Sequence, residues 1–119
     1  MSIPIIYGIP NCDTVKKVFA WFKANKITFQ FYNYKTEGIS AAKLKDWCEK
    51  EGWQLLLNKK STTWKNVSAE FPNGITTQAQ AIKLMQENTS IIKRPVIEIN
   101  GTILIGFDEP VYTKQFLKN

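Results

Sequence analysis

The apolar positions of the chain change period several times, and each change marks an element. Ile3 to Tyr7 is β-branched and aromatic and stops at Gly8-Ile9-Pro10-Asn11, which predicts a buried strand followed by a turn. From Asp13 to about Asn25, the residues Val15, Val18, Phe19 and Phe22 recur at helical spacing while Lys16, Lys17 and Lys23 fall on other faces. Ile27 to Tyr34 returns to strand spacing through Phe29 and Phe31. Strand, helix and strand in so short a span predict a right-handed βαβ unit with parallel strands.

Beyond it, Ser40 as N-cap and Gly52 as terminator frame a second helix whose inner face holds Leu44, Trp47 and Cys48. A short helical piece follows from Trp53 to Leu57. The polar run from Asn58 to Trp64 has no period and predicts an exposed loop. Thr77 to Glu87 is amphipathic through Ala81, Ile82, Leu84 and Met85. Pro95–Ile99 and Thr102–Ile105 predict two strands joined by Asn100-Gly101, the strongest two-residue hairpin signal. Asp108-Glu109-Pro110 then caps a last helix reaching about Leu117. The order βαβ, several helices, ββα predicts one α/β domain over 1–119, with a mixed sheet and a helical insertion at about 40–90.

Composition narrows the chemistry. The 119 residues include no histidine, which removes imidazole bases, the Ser-His-Asp triad and histidine-built zinc sites. Two cysteines are too few for a four-ligand structural zinc site. Sixteen cations against ten carboxylates give +6, which favours anionic partners. Arg94 is the only arginine, and the lysines form no long run, so a nucleic-acid reader is not expected. No run approaches the roughly 20 apolar residues of a membrane span, and no cationic leader opens the chain. With so few cysteines, the expected compartment is the reducing cytoplasm.

Cys12 stands where the first strand gives way to the first helix. Backbone N–H groups and the macrodipole at a helix start favour an anion, so a thiol there is a candidate nucleophile. Lys16 would add positive potential and Asp13 would oppose it; the plain alternative is a small residue that fits the turn. Cys48 shares a face with Leu44 and Trp47 and behaves as a small buried hydrophobe. Val15 rules out a C-x-x-C pair, while a Cys12–Cys48 bridge stays open. Arg94-Pro95 is the second candidate, as a cis bond and a bidentate oxyanion or carboxylate binder; its alternative is a surface arginine before an edge-strand proline. Lys59 and Lys60, near Thr62 and Thr63, either extend an anion site or are solvated loop residues. Trp53 and Trp64 are expected to pack the insertion.

The run Ile6-Tyr7-Gly8-Ile9-Pro10-Asn11-Cys12-Asp13-Thr14-Val15-Lys16-Lys17 resembles the opening of the arsenate reductase-related (ArsC/Spx) family, in its YffB-like branch. Gly52-Trp53, Leu56-Leu57-Asn58, Ser61-Thr62-Thr63-Trp64, Ile91-Ile92-Lys93-Arg94-Pro95 and Leu104-Ile105-Gly106-Phe107 continue the likeness in order along the chain. The resemblance implies a thioredoxin-like fold with a helical insertion, Cys12 as nucleophile and a cis-proline at Pro95. It implies that Arg94 binds an oxyanion or a glutathionyl group, with Lys60 where the arsenate-reducing members have arginine. Asn11 and Lys16 complete the expected site. The function implied is a glutathione-linked reductase with one working cysteine and no bound cofactor or metal. Glutathione or another small thiol would be co-substrate, and a glutaredoxin a candidate partner.

Departures bear on substrate. Arsenate reducers of the family carry a third arginine after the last strand, where this chain reads Gly106-Phe107-Asp108, and a histidine where it has Gly8. Arsenate is therefore not the expected substrate. The alternative implied by the same resemblance is an Spx-like regulator docking on RNA polymerase or another partner, although Val15 breaks the C-x-x-C switch of that branch.

Overall fold

The computed structural model describes residues 3–117. β1 (Ile5–Gly8), α1 (Asp13–Ala24) and β2 (Gln30–Asn33) form the βαβ unit, with β1 and β2 parallel and Ile6 opposite Phe31. Helices α2 (Tyr34–Glu37), α3 (Ala41–Glu51), α4 (Trp53–Leu56), α5 (Thr62–Ser68) and α6 (Gln78–Glu87) follow, then a 3-10 turn at Thr89–Ile91. β3 (Val96–Ile99), β4 (Thr102–Ile105) and α7 (Glu109–Phe116) close the chain. The sheet runs β2-β1-β3-β4, and β3 is antiparallel to both neighbours. This is a thioredoxin-like α/β arrangement with a mixed sheet.

Strand alternation divides the interior into two layers. Ile6 and Ile97 point to one face, against Val18 and Phe22 of α1 and Tyr112 of α7. Tyr7, Val96 and Ile103 point to the other, where they meet Leu44 and Trp47 of α3, Leu56 of α4 and Met85 of α6. Helix starts are set locally. Ser40 Oγ accepts from the Lys43 N–H at 3.1 Å, Thr77 and Gln80 form a reciprocal capping box, and Asp108 accepts from Val111. Positive φ at Asn100 (49°) and Gly101 (78°) makes the hairpin turn. Among the described residues no helix is long and apolar enough to cross a membrane.

Three expectations change in detail, and one alternative is set aside. β1 starts at Ile5 rather than Ile3. β2 is shorter than 27–34 at both ends. The chain leaves α1 through a left-handed Lys26 (φ 57°), and the Ile27 N–H returns to the Phe22 carbonyl at 2.9 Å, so 27–29 close the helix instead of pairing. At the other end, Asn33 Oδ1 accepts from the Lys35 and Thr36 N–H groups and turns Tyr34 into α2. The polar loop at Asn58–Trp64 ends at Ser61, whose Oγ accepts from the Trp64 N–H at 3.0 Å and starts α5. Trp64 and Val67 share one face towards the helical core, a period hidden by polar flanks. Finally, the strand after Pro95 is interior rather than an edge, because β3 is flanked by β1 and β4. The Arg94-Pro95 bond is cis. Trp53 and Trp64 pack on the helical layer as expected.

Candidate functional site

The C-terminal end of β1 delivers Cys12 to the start of α1. Cys12 is itself the N-cap, with extended backbone (φ −144°, ψ 126°), and the Lys16 N–H bonds to its carbonyl at 2.9 Å. Its thiol therefore sits where a capping oxygen normally sits, facing the N–H groups of Thr14 and Val15. Partial burial pushes the thiol pKa up. The Val15 N–H, the Arg94 guanidinium and the Thr14 N–H push it down harder, and the net value lies below that of an ordinary thiol. Gly8 allows this close assembly. A Cβ there would stand 3.0 Å from Cγ2 of Val15, so a larger residue would crowd the Val15 side chain on α1.

The opposite wall comes from the helical insertion. The backbone at 56–58 pairs antiparallel with 91–93. Leu57 bridges Ile92, the Asn58 N–H reaches the Ile91 carbonyl and the Lys93 N–H reaches the Leu56 carbonyl, both bonds at 2.7 Å. Asn58 then bends the chain, its side chain accepting from the Lys60 N–H at 3.3 Å. The result is a cleft of about 490 Å³ lined by Cys12, Thr14, Gln54, Leu57, Asn58, Lys59, Lys60, Lys93, Arg94 and Gly106. Four of these residues are cations and none is acidic. The ion pairs among the described residues, Lys43–Glu98 and Lys50–Asp46, involve none of the four.

Arg94 is held from behind. Its Nη1 donates to the Ser90 carbonyl at 3.0 Å, on the 3-10 turn. The phenol of Tyr34, fully buried, donates to the Ile92 carbonyl at 3.2 Å, with the Arg94 guanidinium nearby. A hydroxyl that donates to a carbonyl turns its lone pairs elsewhere, and a guanidinium, which only donates, is the complementary neighbour. Burial raises the Tyr34 pKa well above the usual phenol value, against the pull of Arg94, so it stays a neutral phenol.

Cys12, Lys60 and Arg94, all legible in the sequence, thus meet in one cleft. Pro95 is buried behind it. Asn11 and Lys16 are exposed, and neither lines the cleft. Thr62 and Thr63 belong to the first turn of α5 rather than to the lining. Cys48 is 4% exposed, and burial followed by Glu49 raises its pKa; both cysteines are free thiols. Lys93, Tyr34 and Ser90 were missed. Lys93 was visible as a dibasic pair with Arg94, and Tyr34 stands at the C-terminal end of β2, the sheet end where α/β sites gather. Nothing local in the sequence marks Ser90.

The chain is similar along most of its length to several known proteins. The ArsC family model matches residues 7–115. An uncharacterised protein of Haemophilus influenzae is 38% identical over 111 residues, covering 93% of this chain and 96% of its own. A global transcriptional regulator Spx of Lactococcus lactis is 26% identical over 106 residues, covering 87% of this chain and 79% of its own. Among solved structures, the YFFB protein superposes with a TM-score of 0.86 at 38% identity, covering 93% and 96% of the two chains. An arsenate reductase (ArsC) related protein from Brucella melitensis gives 0.77 at 34% identity, covering 99% and 97%. A match that runs from the end of β1 to within α7, and so takes in Cys12, the cationic wall and Arg94-Pro95, places the chain in the ArsC family.

Proposed function

We propose that the protein is a thiol-dependent reductase that uses Cys12 as its only nucleophile on a glutathionyl or oxyanion substrate, with glutathione or another small thiol as co-substrate. The observation that carries this reading is a cysteine at a helix start, its pKa lowered by the helix N–H groups and Arg94, in a cleft lined by four cations outside the ion pairs of the described residues. On a glutathionyl mixed disulfide, the Cys12 thiolate attacks the glutathione sulfur, the old S–S bond breaks, and the substrate leaves as a thiolate. A second glutathione thiolate then attacks the Cys12 adduct, releasing glutathione disulfide and restoring the Cys12 thiolate. On an oxyanion, the thiolate bonds to the central atom as one oxygen leaves as water with protons from solvent. A glutathione thiolate then attacks the Cys12 sulfur, and the bond to the central atom breaks to release the two-electron-reduced oxyanion. A second glutathione thiolate resolves the Cys12–glutathione disulfide as glutathione disulfide. Arg94, its guanidinium held by the Ser90 carbonyl, and Lys60 hold the anionic group.

Arsenate fits this site less well than a glutathionyl group. Lys60 is monodentate, and Gly106-Phe107-Asp108 supplies no third cation after β4. The reading places the protein in the reducing cytoplasm, where glutathione is abundant, and makes a glutaredoxin the natural protein reductant. Glutathione-dependent turnover of a glutathionyl disulfide and of arsenate, measured for wild type, Cys12→Ser and Arg94→Ala, tests it. The expected result is disulfide turnover abolished by Cys12→Ser, lowered by Arg94→Ala, and weak or absent with arsenate. Full activity in both variants would overturn the assignment.

The likeness to the Lactococcus lactis regulator favours one second reading, a binding module that docks on RNA polymerase or another partner. A stoichiometric partner retained from cell extract, indifferent to Cys12→Ser, supports that reading instead.

A further inference from the structure

A second groove of about 480 Å³ adjoins the cleft around Cys12, with Lys93 and Gly106 lining both, and runs beside β4 between α4 and α7. Its character is different. Leu55, Ile103, Ile105, Phe107 and Val111 give it apolar walls, and Leu55 and Val111 are 51% and 42% exposed. Its acidic residues are Glu51 and Asp108, which the cationic cleft lacks. The two adjoining grooves thus place Lys59, Lys60 and Arg94 on the Cys12 side, Lys93 at their shared border, and two carboxylates on the far side.

The floor of this groove is an unpaired sheet edge. β4 is the outermost strand, and only β3 pairs with it. The Gly106 N–H donates to the Pro95 carbonyl at 2.8 Å, which makes Pro95–Gly106 a hydrogen-bonded pair. By alternation, Ile97–Leu104 and Ile99–Thr102 are bonded pairs too, so the N–H and C=O groups of Ile103 and Ile105 point away from the sheet. An apolar groove along such an edge suits an extended polypeptide, which can add main-chain hydrogen bonds and seat alternate side chains. A free tripeptide-sized thiol needs only the first cleft.

We propose that the groove along β4 docks an extended, apolar and cationic segment of a protein substrate, whose cysteine, carrying an anionic adduct, is thereby presented to Cys12. This rests on the reading of Cys12 as the exchanging nucleophile. The charge order fits one direction of approach, with the adduct in the lysine–arginine cleft and cationic side chains near Glu51 and Asp108. The chemistry is unchanged: the Cys12 thiolate takes the adduct sulfur, and the segment leaves as a cysteine thiolate that water protonates.

Thiol–disulfide exchange in single turnover tests this without needing glutathione turnover. The probes are an apolar, lysine-containing peptide with one cysteine as its glutathione mixed disulfide, the same peptide with glutamate for lysine, and the glutathione mixed disulfide of cysteamine, each followed by release of the leaving thiol. Each rate with the protein is divided by that probe's rate with free glutathione. The expected result is a preference for the lysine peptide over the small probe of roughly tenfold, the factor that about 1.4 kcal/mol of contact confers. Leu55→Ser and Val111→Ser, both at exposed positions, should abolish that preference and leave the small-probe rate unchanged. The glutamate peptide should react more slowly than the lysine peptide. Equal normalised rates for all three probes, or a preference that both variants retain, would overturn the docking groove while leaving Cys12 as the nucleophile. A preference present without any glutathione turnover would keep the groove and remove the reductase reading. A Cys12 inert to every probe overturns both. A wild-type dimer in sedimentation that Leu55→Ser dissociates would give the groove to a second copy of the chain and overturn the substrate segment.

Discussion

Cys12 is pulled in two directions, by partial burial that favours the thiol and by two helix N–H groups and Arg94 that favour the thiolate, and the second set wins. The midpoint of iodoacetamide alkylation at Cys12, resolved by mass spectrometry, is therefore expected below the free-thiol value of about 8.5. Cys48, shielded and shifted the other way, should stay unmodified in the folded protein. Because folding lowers the Cys12 pKa, its contribution to stability is present above the unfolded value and lost as pH falls through the folded one. Arg94→Ala should raise the midpoint. Tyr34→Phe should raise it part of the way, since the ring still fills its site but the hydroxyl beside the guanidinium is gone. The double variant should show no further rise over Arg94→Ala, which separates a positioning effect from general loosening. A midpoint unmoved by Tyr34→Phe would show that Ser90 alone holds the arginine.

Among the elements, α3 is tied to the sheet by one carboxylate. Glu98 on β3 accepts from Tyr7 Oη at 2.7 Å, Trp47 Nε1 at 2.8 Å and Lys43 Nζ at 2.9 Å. Burial pushes its pKa up, but the three donors push it further down, so the net value lies below the usual carboxylate range. Its stabilising effect is present above about pH 4.3 and disappears as pH falls through the lower folded value. Glu98→Gln should cost roughly 1–3 kcal/mol in urea unfolding at pH 7, and the two proteins should converge near the acid limit. A constant difference across pH would mean that shape rather than charge is lost. The same element shows where sequence reading succeeds. Ser40, Gly52 and the Leu44-Trp47-Cys48 face define α3 within a few residues, and Asn100-Gly101 fixes the hairpin. Such signals are local. α5 escaped because its apolar face, Trp64 and Val67, is sparse and follows a polar run. The Glu98 cluster escaped because Tyr7, Trp47 and Glu98 meet only after the sheet and α3 have packed.

Across the whole molecule, the cationic charge is spread along the sequence and becomes a site only through folding. Lys59 and Lys60 arrive from the insertion, Lys93 and Arg94 from the approach to β3, and Cys12 from the end of β1. Sequence position picked out Cys12, Arg94 and Lys60, but not the pairing of 56–58 with 91–93 that sets them face to face. Unneutralised charge in an open cleft attracts anions over a distance set by screening. The reaction of Cys12 with an anionic disulfide should slow as salt rises from about 0.01 M to about 1 M, where the screening length falls from about 30 Å to about 3 Å. A neutral disulfide should show little change; equal slopes for both would mean that the cations do not steer.

α5 supplies no buried residue, and the helix follows directly on the turn that bears Lys59 and Lys60. Amide protons at 62–68 should consequently exchange with deuterium long before those of β1 and β3, through an opening that leaves the two packed layers intact. The wall that bears Lys59 and Lys60 would then be the part of the fold cheapest to open, while Cys12 stays fixed at the start of α1, just beyond β1. On the proposed reading of Cys12 as nucleophile, such a division lets a bound product escape by a local breath of the insertion, with no disturbance to the geometry that lowers the Cys12 pKa.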